Sequence, residues 1–483
     1  TSCPTAWPDG KKGIDLVHPP PTDCRRESLT PSGTPTFYMQ RIFDIYTKKR
    51  TFFRGSGILA FTTVLAYAMG LLRDRLLAHA FGAGSALSAY EAAFVVPDLI
   101  LNIFVAAALS SAFVPIFSDV LNSGSRDDSD TFVSSVLNGS LLVVLVAGIV
   151  AFIFAPQISH AIVPGFDQAA RHTYIMLLRL LLLSPILFAI SNTMGSILVT
   201  QERFFWYGMA SPLYNFGTVI GIVFLGARWG IMGVAVGTLL GAVFHLSARL
   251  IGIMRHGFSY RFTLRWSDYY RRFLRLMAPK MFGQPVDQLT AFGFTAIAST
   301  ISAGSIVVFN FAQNFQSMPI SVIGITLATT AFPALARAGS QRDSKEFWHQ
   351  ISFTVKTILI IAIPSAIAMY LLRHFIIGLI FGGGEFSAEA VNATAATLGV
   401  FTLSIVTESI TQLLARAFYS LKNSITPVVI ALVGLGIAIG SGYLFSRTMG
   451  VPGLALGFFI GSLMKVIVLS ILLKFEAQKK LQN

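Results

Sequence analysis

The chain has 483 residues, of which 54% are hydrophobic and only 12% charged, and its mean hydropathy is +0.68. A soluble globular domain carries about 25% charged residues, so this composition excludes a large soluble enzyme and points to a polytopic membrane protein. The net charge of +14 fits the Lys/Arg excess of cytoplasmic loops, and no basic soluble domain is visible that would serve a nucleic acid.

Residues 1–54 read as a polar and basic N-terminal tail, disordered to about residue 38, because Pro, Ser, Thr and Asp dominate and no apolar signal-peptide core occurs. Met39 opens a basic amphipathic run and reads as a native start. Both cysteines, Cys3 and Cys24, fall in this tail, so no disulfide staples the remainder and no metal-ligand spacing arises. The first long apolar stretch, 56–80, contains Leu72-Arg73-Asp74-Arg75. Three successive charges at mid-bilayer would cost roughly 2.5–3.5 kcal/mol each. They either face a bundle interior or a wet cavity, or the arginines snorkel to the headgroups.

With about 20 apolar residues needed per span, the chain offers twelve spans, near 56–80, 87–117, 131–154, 168–199, 204–227, 230–254, 273–300, 304–336, 350–372, 387–418, 424–446 and 450–474. Several exceed 25 residues and contain Pro97, Pro185 or Pro319, which predicts kinks or tilt. The stretches 158–165 and 375–383 are apolar, end in glycine, and read as short re-entrant or interfacial pieces. Arg179 and Arg249 read as snorkelling residues.

Lys and Arg concentrate before the first span, in the linker 255–275, in the connection 337–345 and in the last residues. Twelve spans put these segments on one side, so both termini are expected in the cytoplasm. The loop 118–130, with Asp119, Asp127, Asp128 and Asp130, dissents, although acidic residues count little in this rule.

An internal repeat organises the chain. Gly230, Gly233, Ala235, Gly237 and Gly241 recur as Gly450, Gly453, Ala455, Gly457 and Gly461, at a constant offset of 220. Ala83-Gly84-Ser85 recurs as Ala303-Gly304-Ser305 at the same offset. The reading is an all-α membrane protein with two pseudo-symmetric six-helix lobes around a central cavity: 55–256 as the N-lobe, 257–272 as a basic cytoplasmic linker, 273–475 as the C-lobe and 476–483 as a tail. An even number of spans per lobe makes the repeat parallel, as in transporters whose halves rock about a shared site.

No catalytic or metal-ligand constellation stands out among the eight histidines, and there is no P-loop. The intramembrane polar residues are the remaining candidates. Arg73, Asp74, Arg75, Asn102, Lys280 and Asn314 are the substrate-binding candidates, and Glu91, Asp287 and Glu408 are the ion, proton or gate candidates. Most lie on the first, second, seventh and eighth spans, which occupy equivalent places in the two repeats. Lys280 and Asp287, seven residues apart, would share one helix face. They would bind substrate or a cation, or form a salt bridge that closes a gate.

The runs Gly70-Leu71-Leu72-Arg73-Asp74-Arg75, Phe81-Gly82-Ala83-Gly84, Ala93-Phe94-Val95-Val96-Pro97-Asp98 and Ala108-Leu109-Ser110-Ser111-Ala112-Phe113-Val114-Pro115, with Phe332-Pro333-Ala334-Leu335 in the second lobe, resemble the MurJ (MviN) family over roughly residues 50–475. That resemblance implies a lipid II flippase of the MATE-like (MOP) exporter superfamily in the bacterial inner membrane. Lipid II, an undecaprenyl pyrophosphate carrying a disaccharide-pentapeptide, would move outward by alternating access and supply the cell-wall synthesis machinery. Arg73 matches a family arginine, whereas Tyr67, Asn102 and Asn314 stand where other members have further cavity arginines, and Ser88 where an aspartate is usual. Either Arg73, Arg75 and Lys280 suffice for the headgroup, with help from helix N-termini, or the substrate differs. Many members carry two further helices, which form a tail groove, beyond the point where this sequence stops. The alternatives are an exporter of another lipid-linked oligosaccharide or a drug, or a non-transporting envelope scaffold. No cofactor is expected; Na⁺, H⁺ or the membrane potential would drive transport.

Overall fold

A computed structural model describes residues 35–103, 112–254, 258–281 and 285–481, and their side chains except at 35–56, 123, 278–281, 285 and 287. In chain order the first ten helices are α1 (Pro35–Phe81), α2 (Ser85–Ala93), α3 (Val95–Leu101), α4 (Val114–Ser123), α5 (Arg126–Ile153), α6 (Ala155–Ile162), α7 (Gln168–Leu181), α8 (Ser184–Thr200), α9 (Phe204–Ile220) and α10 (Gly226–Met254). The next eight are α11 (Asp268–Met281), α12 (Pro285–Ser299), α13 (Ser305–Pro319), α14 (Thr326–Gln341), α15 (Ser344–Phe381), α16 (Ala388–Ser420), α17 (Ile425–Met449) and α18 (Val451–Leu481). No strand occurs among the described residues. The chain divides into a unit up to Arg54, of which only the helical residues from Pro35 are described, and a packed body over Gly55–Asn483. Helix α1 thus begins ahead of Met39, with proline at a position whose N–H a helix start leaves unused; residues 1–34, including both cysteines, lie outside the described ones.

Three prolines stand at helix breaks. Pro97 cannot donate to the Ala93 carbonyl, and α2 ends there. Pro185 frees the Leu181 carbonyl, which accepts instead from Ser184 Oγ at 2.8 Å. Pro156 frees the Phe152 carbonyl, which accepts from Arg179 Nε at 3.4 Å while the guanidinium lies 4.9 Å from the Phe152 ring centre. Arg179 therefore serves a helix break and does not simply snorkel. The same break puts 158–162 of the stretch 158–165 in a separate short helix, α6, with a turn after it. The stretch 375–381, by contrast, continues α15 without interruption, because Pro364 is the last proline before Phe381.

The glycine repeat is realised as two helical hairpins of one design. Gly230 has φ 56° and ψ −141°, and Gly450 has φ 64° and ψ −139°. Both are backbone conformations that only glycine adopts at little cost. A side chain at Gly221 would strike Gly237, one at Gly217 would strike Gly241, and one at Gly233 would strike Leu225. Those pairings run antiparallel about position 229–230. In the second hairpin Gly457 meets Gly442, Gly461 meets Ala438 and Gly453 meets Phe445, so α17 and α18 repeat the same close crossing.

Nine runs of the described helices are long and apolar enough to cross a membrane. One of them, Phe204–Met254, has 51 residues, about 76 Å of helix against a hydrocarbon core of about 30 Å, and folds back at Gly230. The expected count of twelve is not confirmed, because residues 104–111 and 282–284 lie outside the described ones. The second expected span falls on α2, α3 and α4, with 104–111 undescribed, and the seventh on the short helices α11 and α12. On α15, Ile360, Leu371 and Phe375 are 72%, 70% and 66% exposed, an apolar face with no protein against it, as a lipid-facing helix requires.

The basic linker explains the acidic loop. Arg261 pairs with Asp127, Arg272 Nη1 donates to Asp119 at 3.0 Å, and the backbone N–H groups of Arg261 and Arg265 donate to Ser134 and Ser135 on α5. Asp119 and Asp127, with Ser134 and Ser135, thus form the docking face for the linker, while Asp128 caps α5 with Ser125.

Candidate functional site

Residues from the two halves meet at the helix ends around 79–88, 165, 299–304 and 379–386. Ser88 Oγ donates to the Ala303 carbonyl at 2.5 Å, and the Glu385 N–H donates to the His79 carbonyl at 3.0 Å. The Gly165 N–H donates to Ser299 Oγ at 3.1 Å, and Arg75 Nη1 donates to the Leu379 carbonyl at 2.7 Å. Gly82, with φ 60°, lies against Glu385, and a Cβ built on Gly304 would sit 3.0 Å from that of Ala83. This end has backbone against backbone, so the repeated Ala-Gly-Ser triplets pack there because they are small.

Further along the same helices the halves part around a cavity of about 770 Å³. Its lining comes from α1 (Leu59 to Asp74), α9 (Tyr207 to Asn215), α10 (Arg249) and α13 with the π-helical turn that follows it (Asn314 to Ser321). Arg73 and Asp74 lie at the closed end. Arg73 Nε and Nη2 donate to Asp74 Oδ1 at 2.9 and 2.7 Å, and Nη1 donates to Asn215 Oδ1 at 3.1 Å. Asn215 in turn donates to the Ala66 carbonyl at 3.3 Å. Asp74 is 7% exposed, and its other oxygen accepts from Asn314 Nδ2 at 3.5 Å. The pair is neutral in sum, and through Asn314 it ties the first half to the second.

The sequence candidates separate accordingly. Arg73, Asp74 and Asn314 meet in the cavity. Arg75 faces away from it, onto Leu379. Glu91 is absent from the lining and accepts from Asn310 Nδ2 at 3.1 Å, a second tie between the halves. Asn102 follows α3 and does not line the cavity either. Glu408 lies in a different, smaller cavity of about 370 Å³ among α12, α13, α16, α17 and α18, where Lys465 Nζ donates to its Oε1 at 2.7 Å. The Lys280 and Asp287 side chains lie outside the described ones. Their backbones lie at the end of α11 and the start of α12, on either side of residues 282–284, which also lie outside the described ones.

Three residues of weight escaped the sequence reading. Asn215 and Lys465 lie in mainly apolar stretches of their helices and form no pattern with their neighbours. Arg249, read as snorkelling, is 6% exposed and lines the cavity, with its guanidinium 5.0 Å from the Tyr207 ring centre. A large side chain on the preceding helix holds it inward.

The profile of the family described as lipid II flippase MurJ matches residues 77–482. The lipid II flippase MurJ of Burkholderia cenocepacia is 27% identical over 420 residues, 84% of this chain and 81% of that protein. A solved structure described as lipid II flippase MurJ in an inward closed conformation is similar with a TM-score of 0.75 and 26% identity, over 88% of this chain and 90% of the other. The fold alone is also shared with an inward-facing multidrug resistance MATE family transporter of the MOP superfamily, at a TM-score of 0.74 and 17% identity, over 86% and 95% of the two chains.

Proposed function

The chain belongs to the lipid II flippase MurJ family, and from that premise we propose how its cavity carries the substrate. It is a multi-pass membrane transporter of lipid II, not an enzyme. The end at which the halves touch is assigned to the outer side, and the 770 Å³ cavity to the cytoplasmic side. Both termini are then cytoplasmic, which agrees with the basic linker and tail. The membrane is the bacterial inner membrane, and the cell-wall synthesis machinery outside consumes the product.

The observation that carries this reading is the cavity closed at one end by backbone contacts, with a charged pair at its blind end. A polyprenyl pyrophosphate needs a wet, cationic compartment for its head and lipid for its tail. When the two lobes rock, the contacts at Ser88–Ala303 and Ala83–Gly304 open, and Asp74 releases Asn314.

Translocation of labelled lipid II in proteoliposomes tests the reading, with Ala83→Cys and Gly304→Cys combined in a chain free of its two tail cysteines. The Cβ at position 304 would lie 3.0 Å from that of Ala83 and closer still to its carbonyl oxygen, so the two backbones must part slightly, which brings the Cβ atoms to the separation of about 3.5–4.5 Å in a disulfide. The oxidised protein is expected to stop translocating and to resume on reduction. Full translocation by the oxidised, crosslinked protein would refute the closed-end assignment, and none by the unlocked protein would refute the transport of lipid II.

A further inference from the structure

We infer that Arg249, rather than Arg73, is the seat for the pyrophosphate when the substrate enters the cavity, an inference that rests on the flippase reading above. The two arginines differ in charge balance. Arg73 carries its counter-charge with it, because Asp74 accepts from two of its nitrogens. Arg249 has only neutral neighbours: Nη1 donates to the Ser191 carbonyl at 2.9 Å and to Asn192 Oδ1 at 2.7 Å, and the ring beside it is Tyr207. His245, one turn away on α10, is held by Ser191. No carboxylate lies within salt-bridge distance of Arg249 among the described residues, and its buried Nε has no hydrogen-bond partner.

An unpaired guanidinium inside a membrane protein is costly. The surroundings nevertheless hold it in one place. A Cβ at Gly195 would lie 2.7 Å from Nη1 and 2.8 Å from Cζ, so only glycine leaves room for the guanidinium against α8. The ring on one side, the two acceptors of Nη1 and the missing side chain fix the guanidinium at the cavity wall, with Nη2 making no hydrogen bond among the described residues. Its N–H groups can donate to a phosphate's oxygens.

Position separates this seat from Arg73. On α9, Tyr207 holds Arg249 and Asn215 holds Arg73; eight residues of helix place these supports about 12 Å apart. Arg249 lies toward the open end and meets the head first, while Arg73 remains with Asp74 at the blind end.

Binding of undecaprenyl pyrophosphate, undecaprenyl phosphate and uncharged polyprenol to the purified full chain tests this. Arg249→Gln is expected to lose about tenfold or more in affinity for the diphosphate lipid, less for the monophosphate and nothing for the polyprenol. A merely structural role would weaken all three alike, and that result, or diphosphate binding at the wild-type level, would overturn the inference. Where Arg249→Gln does not fold, Gly195→Ala keeps the charge and displaces the guanidinium. It is expected to lower the diphosphate affinity, and unchanged affinity there would overturn the inference as well. A wild-type chain that binds the diphosphate lipid through Arg249 but does not translocate lipid II would count against the flippase reading and leave this seat standing.

Discussion

Arg73 and Arg249 line one cavity and are built into it in opposite ways. Arg73 is exposed enough to meet water yet is neutralised by the next residue in sequence, and that carboxylate reaches across to Asn314 of the other half. Arg249 is nearly sealed in protein yet has no counter-charge. A paired charge at the blind end suits a tie that opens and closes; an unpaired one near the mouth suits a seat that waits for an anion. The contrast teaches that the presence of an arginine in a cavity does not by itself mark where the substrate's charge sits.

The largest expected effect separates the tie from the seat. Arg73→Ala leaves Asp74 buried without its partner, which costs about 3–5 kcal/mol; thermal unfolding should fall sharply and lipid II translocation should cease. Adding Asp74→Asn to Arg73→Gln removes both charges and should restore most of the stability without restoring translocation. Recovery of translocation in that double variant would deny the pair its role as a tie.

Next in size is a control away from both arginines. Lys465→Ala strands Glu408 in the smaller cavity and should cost about 3 kcal/mol, most of it recovered by adding Glu408→Gln. A stable Lys465→Ala chain would mean that the ion pair does not hold α16 against α18. Gly304→Val forces a branched side chain against Ala83 and should shift the population toward an open outer end by about tenfold, equivalent to about 1.4 kcal/mol. Labelling of a cysteine placed in the cavity from outside reads this shift directly. The smallest effect is that of Ser88→Ala, which removes one hydrogen bond worth about 1 kcal/mol and should open the same end only modestly.

Much of this architecture was legible in the sequence, because glycine is informative when it recurs at a fixed offset. The rows at 230–241 and 450–461 predicted two equivalent elements, and both turned out to be hairpins hinged on glycines with matching backbone angles. The cavity was legible in part. Arg73, Asp74 and Asn314 meet as expected, since charges that deep in an apolar helix have few places to go. Arg75 and Glu91 bond elsewhere because adjacent positions on a helix point in different directions, which a list of polar residues ignores. Arg249 was missed for the opposite reason. Near the end of a long apolar helix, snorkelling is the default, and only Tyr207 on the preceding helix and the empty space at Gly195 on α8 turn the side chain inward. Those are tertiary facts with no local signature. The second and seventh expected spans include residues 104–111 and 282–284, which lie outside the described ones, so the count of twelve is not confirmed.

The most direct test of this division of labour is the affinity of the Arg73→Gln, Asp74→Asn double variant for undecaprenyl pyrophosphate. The pair is neutral and lies away from the seat, so the account predicts affinity within about twofold of wild type, less than 0.5 kcal/mol. A loss of about tenfold or more would contradict it and return the pyrophosphate to Arg73.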